Sequence, residues 1–222
     1  FEGYFKRIII AGDGVEALQL VRSHVPDIIV SDVMMPRMNG YKLCKTIKED
    51  INISHIPVIL LTARDDRQSQ ISGYKNGADG YLSKPFEVEM LMELIRNRLK
   101  NREYTKKRYL NAGLIPTPEE STISLTDETF LIKLNSIIQE NIENSNLGIQ
   151  FICQEVGLGR SSLYNKLKAL TGMGANEYIS KLRIEKAITL ISGTDMPFSE
   201  IAEKTGFTTC LLYTSDAADD KA

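Results

Sequence analysis

The pattern of hydrophobic positions changes near the middle of the chain. In the first hundred residues, short apolar runs, the first two with β-branched residues, are separated by segments of helical period; the runs are Ile28–Val30, Val58–Leu61 and Tyr81–Leu82. That alternation predicts buried strands of a parallel sheet with helices between them. From Thr126 onward, the apolar residues recur at helical spacing, beginning with Phe130, Leu131, Leu134, Ile137, Ile138 and Ile142. The pattern therefore predicts an α/β domain followed by an all-α domain.

Each of the three apolar runs ends in a polar side chain. Asp32 follows the first run and opens a loop rich in Pro and Gly, Thr62 follows the second run, and Lys84 and Pro85 follow the third. The carboxyl ends of parallel strands meet at one edge of an α/β sheet, which is where such folds place their chemistry. A lone Asp after a strand is commonly a turn or cap residue, so the inference depends on all three positions occurring in this order.

In this order and spacing, the three segments closely resemble the receiver domain of bacterial two-component response regulators, which has a flavodoxin-like fold. The resemblance implies that Asp32 is the phosphoacceptor, with Lys84 and Thr62 contacting the phosphoryl oxygens. It also implies that Mg²⁺ is bound by Asp32 and the main-chain carbonyl of Met34. On phosphorylation, Thr62 would move towards the phosphoryl group and Tyr81 would turn inward, as a two-state switch.

The start of the chain departs from the family pattern. A receiver domain opens with a strand that ends in two adjacent acids, and these acids bind the magnesium ion together with the phosphoacceptor. Here residues 1–5 resemble the end of the first helix and Lys6 to Ala11 the second strand, so the first strand and its acidic pair are missing. One carboxylate and a carbonyl are a poor magnesium site. We therefore expect weak magnesium binding and poor folding of the chain as it stands.

Residues 101–125 interrupt both patterns. Their first part is polar and basic, and their second part is rich in Gly, Pro, Ser and Thr, which is typical of a linker. The predicted domains are thus a receiver domain at 1–100, a linker at 101–125 and a helical domain at 126–209. Thr126 is the predicted N-cap of the first helix after the linker.

The segment from Leu147 to Lys168 predicts a helix, a glycine turn and a second helix. This is the arrangement of a helix-turn-helix, whose second helix enters the major groove of DNA. With the long helix predicted from Ala175 to Ser192, the segment resembles the AraC-type DNA-binding domain, in which one helix joins two such motifs. The apolar residues expected to face each other within the first motif are Ile149, Ile152, Val156, Leu163 and Leu167.

This second resemblance, combined with helix geometry, assigns residues to a DNA face. Ser and Tyr accept several base edges and specify no single target sequence, whereas Asn165 is suited to adenine. Between Gly157 and Ala187 there are six Lys or Arg residues and two Glu residues, a local excess that a DNA face needs in a chain of net charge −2. The predicted base contacts are Ser161, Tyr164 and Asn165, the phosphate contacts are Arg160, Lys166 and Lys168, and Ser199 of the second motif completes the set.

Composition adds little beyond this. The chain is 42% hydrophobic and 25% charged, as in ordinary globular proteins, and no apolar run approaches the ~20 residues of a membrane helix. Cys44 and Cys153 fall in apolar helical patterns and are expected to be buried, reduced thiols, which suits the cytoplasm. His24 and His55 show no metal-ligand spacing.

The last residues, Cys210 to Ala222, do not continue the domain before them. They resemble the translation of a sequencing adapter and are expected to be non-biological. The second helix-turn-helix, which begins at Pro197, would then lack its recognition helix after Phe207.

The sequence therefore predicts a transcription regulator, not an enzyme, whose phosphorylation by a histidine kinase controls binding to double-stranded promoter DNA. No small-molecule substrate is expected, and homodimerisation is left open. A free regulator and the cytoplasmic tail of a membrane-anchored hybrid sensor kinase are both open, as are a phosphorylation-independent interaction module and an inactive gene fragment. An enzyme on a flavodoxin-like fold is disfavoured because the sequence has no phosphate-binding glycine loop, metal cluster or nucleophile–base pair.

Overall fold

The computed structural model describes residues 4–63, 77–112 and 124–207. The chain separates into two units, one formed by residues 1–107 with 117–128 and the other by residues 108–116 with 129–222. The predicted order of an α/β domain before an all-α domain is confirmed. The segment 210–222, predicted to be foreign, lies outside the described residues. No helix in the described part of the chain combines the length and the apolar character needed to span a membrane.

The first unit contains a parallel sheet of three described strands. They are β1 (Ile29–Asp32), β2 (Val58–Ala63) and β3 (Gly80–Lys84), in the order β1-β2-β3. In the register of the sheet, Asp32 lies opposite Leu61, and Ala63 lies opposite Lys84. All three strands therefore end at the same edge of the sheet, as the sequence predicts.

Helices cover both faces of this sheet, because successive residues of a strand point to opposite sides. On one face, Leu60 packs in a core with residues of α1 (Gly14–His24) and α2 (Gly40–Glu49). On the other face, Ile59 packs with Leu91 and other residues of α3 (Val88–Ala112).

Two local predictions for the first unit are wrong. Lys6 to Ala11 does not form a strand, and Ile8 and Ile10 are 50% and 84% exposed, because no described strand lies beside this segment to accept its hydrogen bonds. In addition, α3 continues to Ala112, so the first half of the predicted linker is helical. The rest of that linker, up to residue 123, lies outside the described residues.

The described helices after the linker are α4 (Leu125–Glu140), α5 (Ile149–Val156), α6 (Arg160–Thr171), α7 (Ala175–Gly193) and α8 (Phe198–Lys204). The N-cap of α4 is Ser124, whose hydroxyl accepts the amide hydrogen of Asp127 at 3.2 Å, and not Thr126 as predicted. The predicted apolar positions of α4 and of the residues after it, from Phe130 to Ile142, are all less than 9% exposed. They form the core of the second unit with Ile152, Leu163 and Leu167, which are fully buried.

Candidate functional sites

The carboxyl edge of the sheet brings Asp32 and Lys84 together. The Lys84 ammonium donates to Asp32 Oδ2 and forms an ion pair with it, across the strand β2 that lies between them. The side chains of Asp32 and Lys84 remain 36% and 43% exposed, so an incoming group can reach both. This edge thus offers a nucleophilic oxygen and a cation in direct contact.

The charge on Asp32 is stabilised by its neighbours. Burial raises the pKa of this carboxyl, but the hydrogen bond and charge of Lys84 and the main-chain amides of Met34 and Val33 lower it by more. The Met34 amide donates to Asp32 Oδ1 at 3.1 Å. The net pKa lies below its ordinary value, so the group is an anion at neutral pH, as a nucleophilic carboxylate must be.

Thr62 lies on the strand between these two residues and is fully buried. Its Oγ1 has no hydrogen-bond partner among the residues that the structure describes. A buried hydroxyl without a partner is costly and calls for an explanation. A group that binds intermittently at this edge and accepts a hydrogen bond from Thr62 would supply one.

Tyr81 is half-buried and packs against the core cluster on the α1 and α2 face of the sheet. The ring therefore packs against the interior of the first unit on one side and remains partly accessible on the other. Its role as a switch stays a prediction.

A tight loop connects Asp32 to α2. The Gly40 amide donates to the Val33 carbonyl at 3.0 Å, and Asn39 Oδ1 caps α2 by accepting the Lys42 amide hydrogen at 2.9 Å. A Cβ at Gly40 would overlap the Asp32 carbonyl oxygen, so the start of α2 can approach Asp32 this closely only with glycine at this position.

Arg37, at the middle of this loop, makes a contact that the sequence does not predict. Arg37 pairs with Asp13, the N-cap residue of α1, and its Nε donates to Asp13 Oδ2 at 2.6 Å. The two residues are 24 positions apart. The capping role of Asp13 before a helical pattern could be predicted from local sequence, but its cationic partner could not.

The described residues supply only part of a magnesium site. The donors predicted for it are the carboxylate of Asp32 and the main-chain carbonyl of Met34, and no cluster of three His, Cys, Asp or Glu side chains suited to a metal is found among residues 4–63, 77–112 and 124–207. Mg²⁺ requires near-octahedral oxygen coordination, usually from one or two carboxylates, phosphate oxygens and water. These donors do not form a complete site by themselves.

In the second unit, α5 and α6 form the predicted helix-turn-helix. α5 ends at Gly157, which has a φ of 73°, a left-handed conformation that glycine adopts without strain. Leu163 and Leu167 are fully buried, as predicted. The side chains on the opposite side of α6 are exposed, namely Arg160, Ser161, Tyr164, Asn165 and Lys168.

The structure contradicts the predicted phosphate contact of Lys166. This side chain is fully buried, and its ammonium lies 5.1 Å from the centre of the Phe130 ring. Lys166 shares the buried face of α6 because it is three residues after Leu163. It therefore belongs to the core of the second unit and not to a DNA-binding surface.

Several of the other cations in this region have acidic or carbonyl partners. Lys168 lies 3.9 Å from Glu177, Lys186 lies 3.4 Å from Glu143, and Arg183 donates to the Asn144 carbonyl at 2.7 Å. Exposed pairs of this kind contribute little in water, so a phosphate can replace the partner of Lys168. Arg183 instead connects α7 to the loop before α5.

Ser199 is exposed in the first turn of α8, which begins the second motif. Gly206 follows this helix with a φ of 71°, and a Cβ there would overlap the carbonyl oxygen of Ile142. The predicted loss of the second recognition helix concerns residues outside the described part of the chain.

The fold and the two sites define a protein with a receiver domain and a helix-turn-helix domain. Residues 2–96 match the response regulator receiver domain family, and residues 152–210 match an AraC-type helix-turn-helix domain family. The chain belongs to the response regulators, and it combines a receiver domain with a helix-turn-helix domain.

Three curated proteins are similar to this chain. The chain is 42% identical over 200 residues to histidine kinase P4 of Formosa agariphila, covering 90% of this chain and 14% of that protein. It is 30% identical to the probable transcriptional regulator ycf29 of Pyropia yezoensis, covering 77% of this chain and 82% of that protein. It is 42% identical to response regulator MprA of Mycobacterium leprae, covering 45% of this chain and 42% of that protein.

The chain is also similar to solved receiver domains. The receiver domain of the Francisella response regulator 1452 is 43% identical, with a TM-score of 0.37 and coverage of 43% of this chain and 76% of that one. The receiver domain of the sensor histidine kinase PA1611 from Pseudomonas aeruginosa is 26% identical, with a TM-score of 0.40 and coverage of 42% and 77%. The latter structure has a magnesium ion coordinated in its active site cleft.

Proposed function

We propose that Asp32 accepts a phosphoryl group from a histidine kinase and that this modification controls DNA binding by α5 and α6. The observation that carries the proposal is the direct contact of Asp32 with Lys84 at the exposed edge of the sheet. An anionic carboxylate that is one-third exposed and paired with a lysine is suited to nucleophilic attack on phosphorus.

The chemistry follows from these groups. An Asp32 carboxylate oxygen attacks the phosphorus of a phosphohistidine, the phosphorus–nitrogen bond breaks, and the histidine nitrogen keeps the electron pair and is protonated. The product is an acyl phosphate. Lys84 then offsets the negative charge of the phosphoryl oxygens, and the buried Thr62 hydroxyl gains an acceptor for its hydrogen.

The activity controlled by this phosphorylation would be promoter binding by the exposed side of α6. Tyr164 is 54% exposed and stands beside exposed Asn165 on this helix. Side chains of this kind contact base edges in the major groove, and Arg160 and Lys168 are suited to the phosphates on either side.

The test replaces the phosphoacceptor by its uncharged isostere. We expect Asp32→Asn to take up no phosphoryl group from acetyl phosphate, while the unphosphorylated variant binds duplex DNA as tightly as the unmodified chain. Asp27→Asn is a matched control, since Asp27 is exposed near the opposite end of β1. Phosphoryl uptake by Asp32→Asn at the unmodified rate would refute the assignment.

A second proposal concerns the parent polypeptide. We infer that this region is the regulator part of a hybrid sensor kinase, because the match to histidine kinase P4 covers 90% of the chain at 42% identity. Sequencing the locus upstream of the codon for Phe1 tests this proposal. Kinase motifs in the same reading frame are expected; an initiation codon a few tens of codons upstream would instead define a free regulator.

A further inference from the structure

A pair of residues outside the phosphoryl site holds the loop that follows the phosphoacceptor. Asp13 is only 6% exposed, and it uses both of its oxygens. Oδ1 accepts the amide hydrogens of Val15 and Glu16, at 2.8 and 3.1 Å, and thereby caps α1. Oδ2 accepts from Nε and Nη2 of Arg37, in the middle of the loop between Asp32 and α2.

The backbone of Arg37 has an uncommon conformation. Its φ is 57°, in the left-handed region that residues other than glycine rarely adopt. Such conformations persist where the surrounding contacts hold them, and they concentrate at functional sites. Here the contact that holds the residue is the ion pair with a nearly buried carboxylate.

α1 also contacts the loop directly through its first residue. A Cβ at Gly14 would lie 2.5 Å from the Met38 carbonyl oxygen and 2.9 Å from the Met38 Cβ, so the loop backbone lies against the start of this helix. Asp13 and Gly14 together fix the part of the loop that follows Met34. Met34 itself donates its amide hydrogen to the phosphoacceptor at 3.1 Å.

We propose that the Asp13–Arg37 pair is a positioning device for phosphoryl transfer, which keeps the Met34 amide directed at Asp32. The pair does not touch the reacting atoms and acts through the loop. This inference rests on the proposed function of Asp32 and adds two residues to its machinery. Both residues lie in the first unit.

The test uses Asp13→Asn in the full chain. Asparagine caps helices as well as aspartate does, so α1 keeps its N-cap while Arg37 loses its anionic partner. We expect the limiting rate of phosphoryl uptake from acetyl phosphate to fall about tenfold, the lower end of the range found when residues that orient metal ligands are removed. The acetyl phosphate concentration at half-maximal rate should change little, because Asp32 and Lys84 are intact.

Hydrogen exchange supplies a readout that does not depend on activity. The amides of residues 33–39 should exchange faster in Asp13→Asn than in the unmodified chain. Arg22→Gln is the matched control, since it removes another Arg–Asp pair of the same unit, at 3.0 Å to Asp50, and should leave both the uptake rate and this exchange unchanged. Arg37→Lys keeps the positive charge but lacks the planar guanidinium. This variant should retain part of the phosphoryl uptake rate.

Arg37→Gly guards against a folding artefact, because glycine accepts a φ of 57° without strain. We expect this variant to remain folded and its limiting rate of phosphoryl uptake to fall as much as that of Asp13→Asn. Unchanged uptake in both Asp13→Asn and Arg37→Gly, with uptake by the unmodified chain, would overturn the positioning role alone. Absence of uptake by the unmodified chain would overturn the proposed function of Asp32 and this inference with it.

Discussion

Two lysines of α6 can be used to test which side of this helix contacts DNA. Lys166 is fully buried and its ammonium lies 5.1 Å from the centre of the Phe130 ring, whereas Lys168, two residues later, is exposed. Replacing each by methionine keeps an unbranched side chain and removes one positive charge. The two variants therefore have the same net charge and differ in the site from which that charge is lost.

The expected changes in the salt dependence of DNA binding and in the free energy of unfolding follow from these two environments. If Lys168 contacts one phosphate, its loss lowers the slope of log K against log salt by about 0.9, so the fall in affinity between 50 and 200 mM salt becomes about 3.5-fold smaller. Lys166→Met loses a cation–π contact of about 0.5–2 kcal/mol. It also removes the cost of burying an ammonium, which offsets this loss. We expect its free energy of unfolding to change by less than about 1 kcal/mol and its salt slope to be unchanged.

The assay is fluorescence anisotropy of a labelled duplex titrated at several salt concentrations, with urea unfolding of each variant in parallel. Lys168→Met should reduce the salt slope and leave stability unchanged. Lys166→Met should retain the slope of the unmodified chain. A reduced slope in Lys166→Met, with normal stability, would refute the reasoning, because it would show that the buried ammonium is exposed to DNA phosphates in solution.

Three further predictions concern the first unit. Gly40→Ala should lower the free energy of unfolding by about 1–3 kcal/mol, because the new Cβ overlaps the Asp32 carbonyl oxygen; an unchanged urea midpoint would contradict this. Lys84→Met should raise the pKa of Asp32, since the hydrogen bond and charge that lower it are lost while burial still raises it; carboxyl NMR titration checks the sign. Burial raises the pKa of Cys44 to about 12, from an ordinary value of 9.0, so its thiolate is about a thousandfold scarcer at pH 8 and iodoacetamide should label it only on unfolding; rapid labelling of the native chain would refute this.

The phosphate contact predicted for Lys166 is wrong because it follows from the residue type, whereas burial follows from the position in the helix. Lys166 follows Leu163 by three residues and precedes Leu170 by four, so the spacing alone assigns it to the buried face of α6. Its aliphatic stem can be buried when the ammonium finds a partner. One such partner, the ring of Phe130, comes from another helix and could not be identified from the local pattern.

The other elements divide in the same way. Some can be predicted from their own local sequence, and others depend on segments that are distant in the sequence. β1, β2 and β3 could be predicted because their apolar runs and polar ends are contiguous in sequence. Lys6 to Ala11 has equal strand propensity but lacks a described neighbouring strand, and a strand exists only through its neighbour. The Asp13–Arg37 pair joins residues of different elements and was missed for a similar reason.

Exposure, more than charge, favours Asp32 over Asp13 as the nucleophile of the first unit. Each carboxylate is paired with a cation and accepts main-chain amide hydrogens, and for each the pKa is lowered although burial raises it. The Asp13 side chain is 9% exposed, and both of its oxygens are engaged by α1 and Arg37. The Asp32 side chain is 36% exposed, and its ion pair is with a lysine, which can turn from the carboxylate to an arriving phosphoryl group. Asp13 is thus suited to hold a loop, and Asp32 is suited to react.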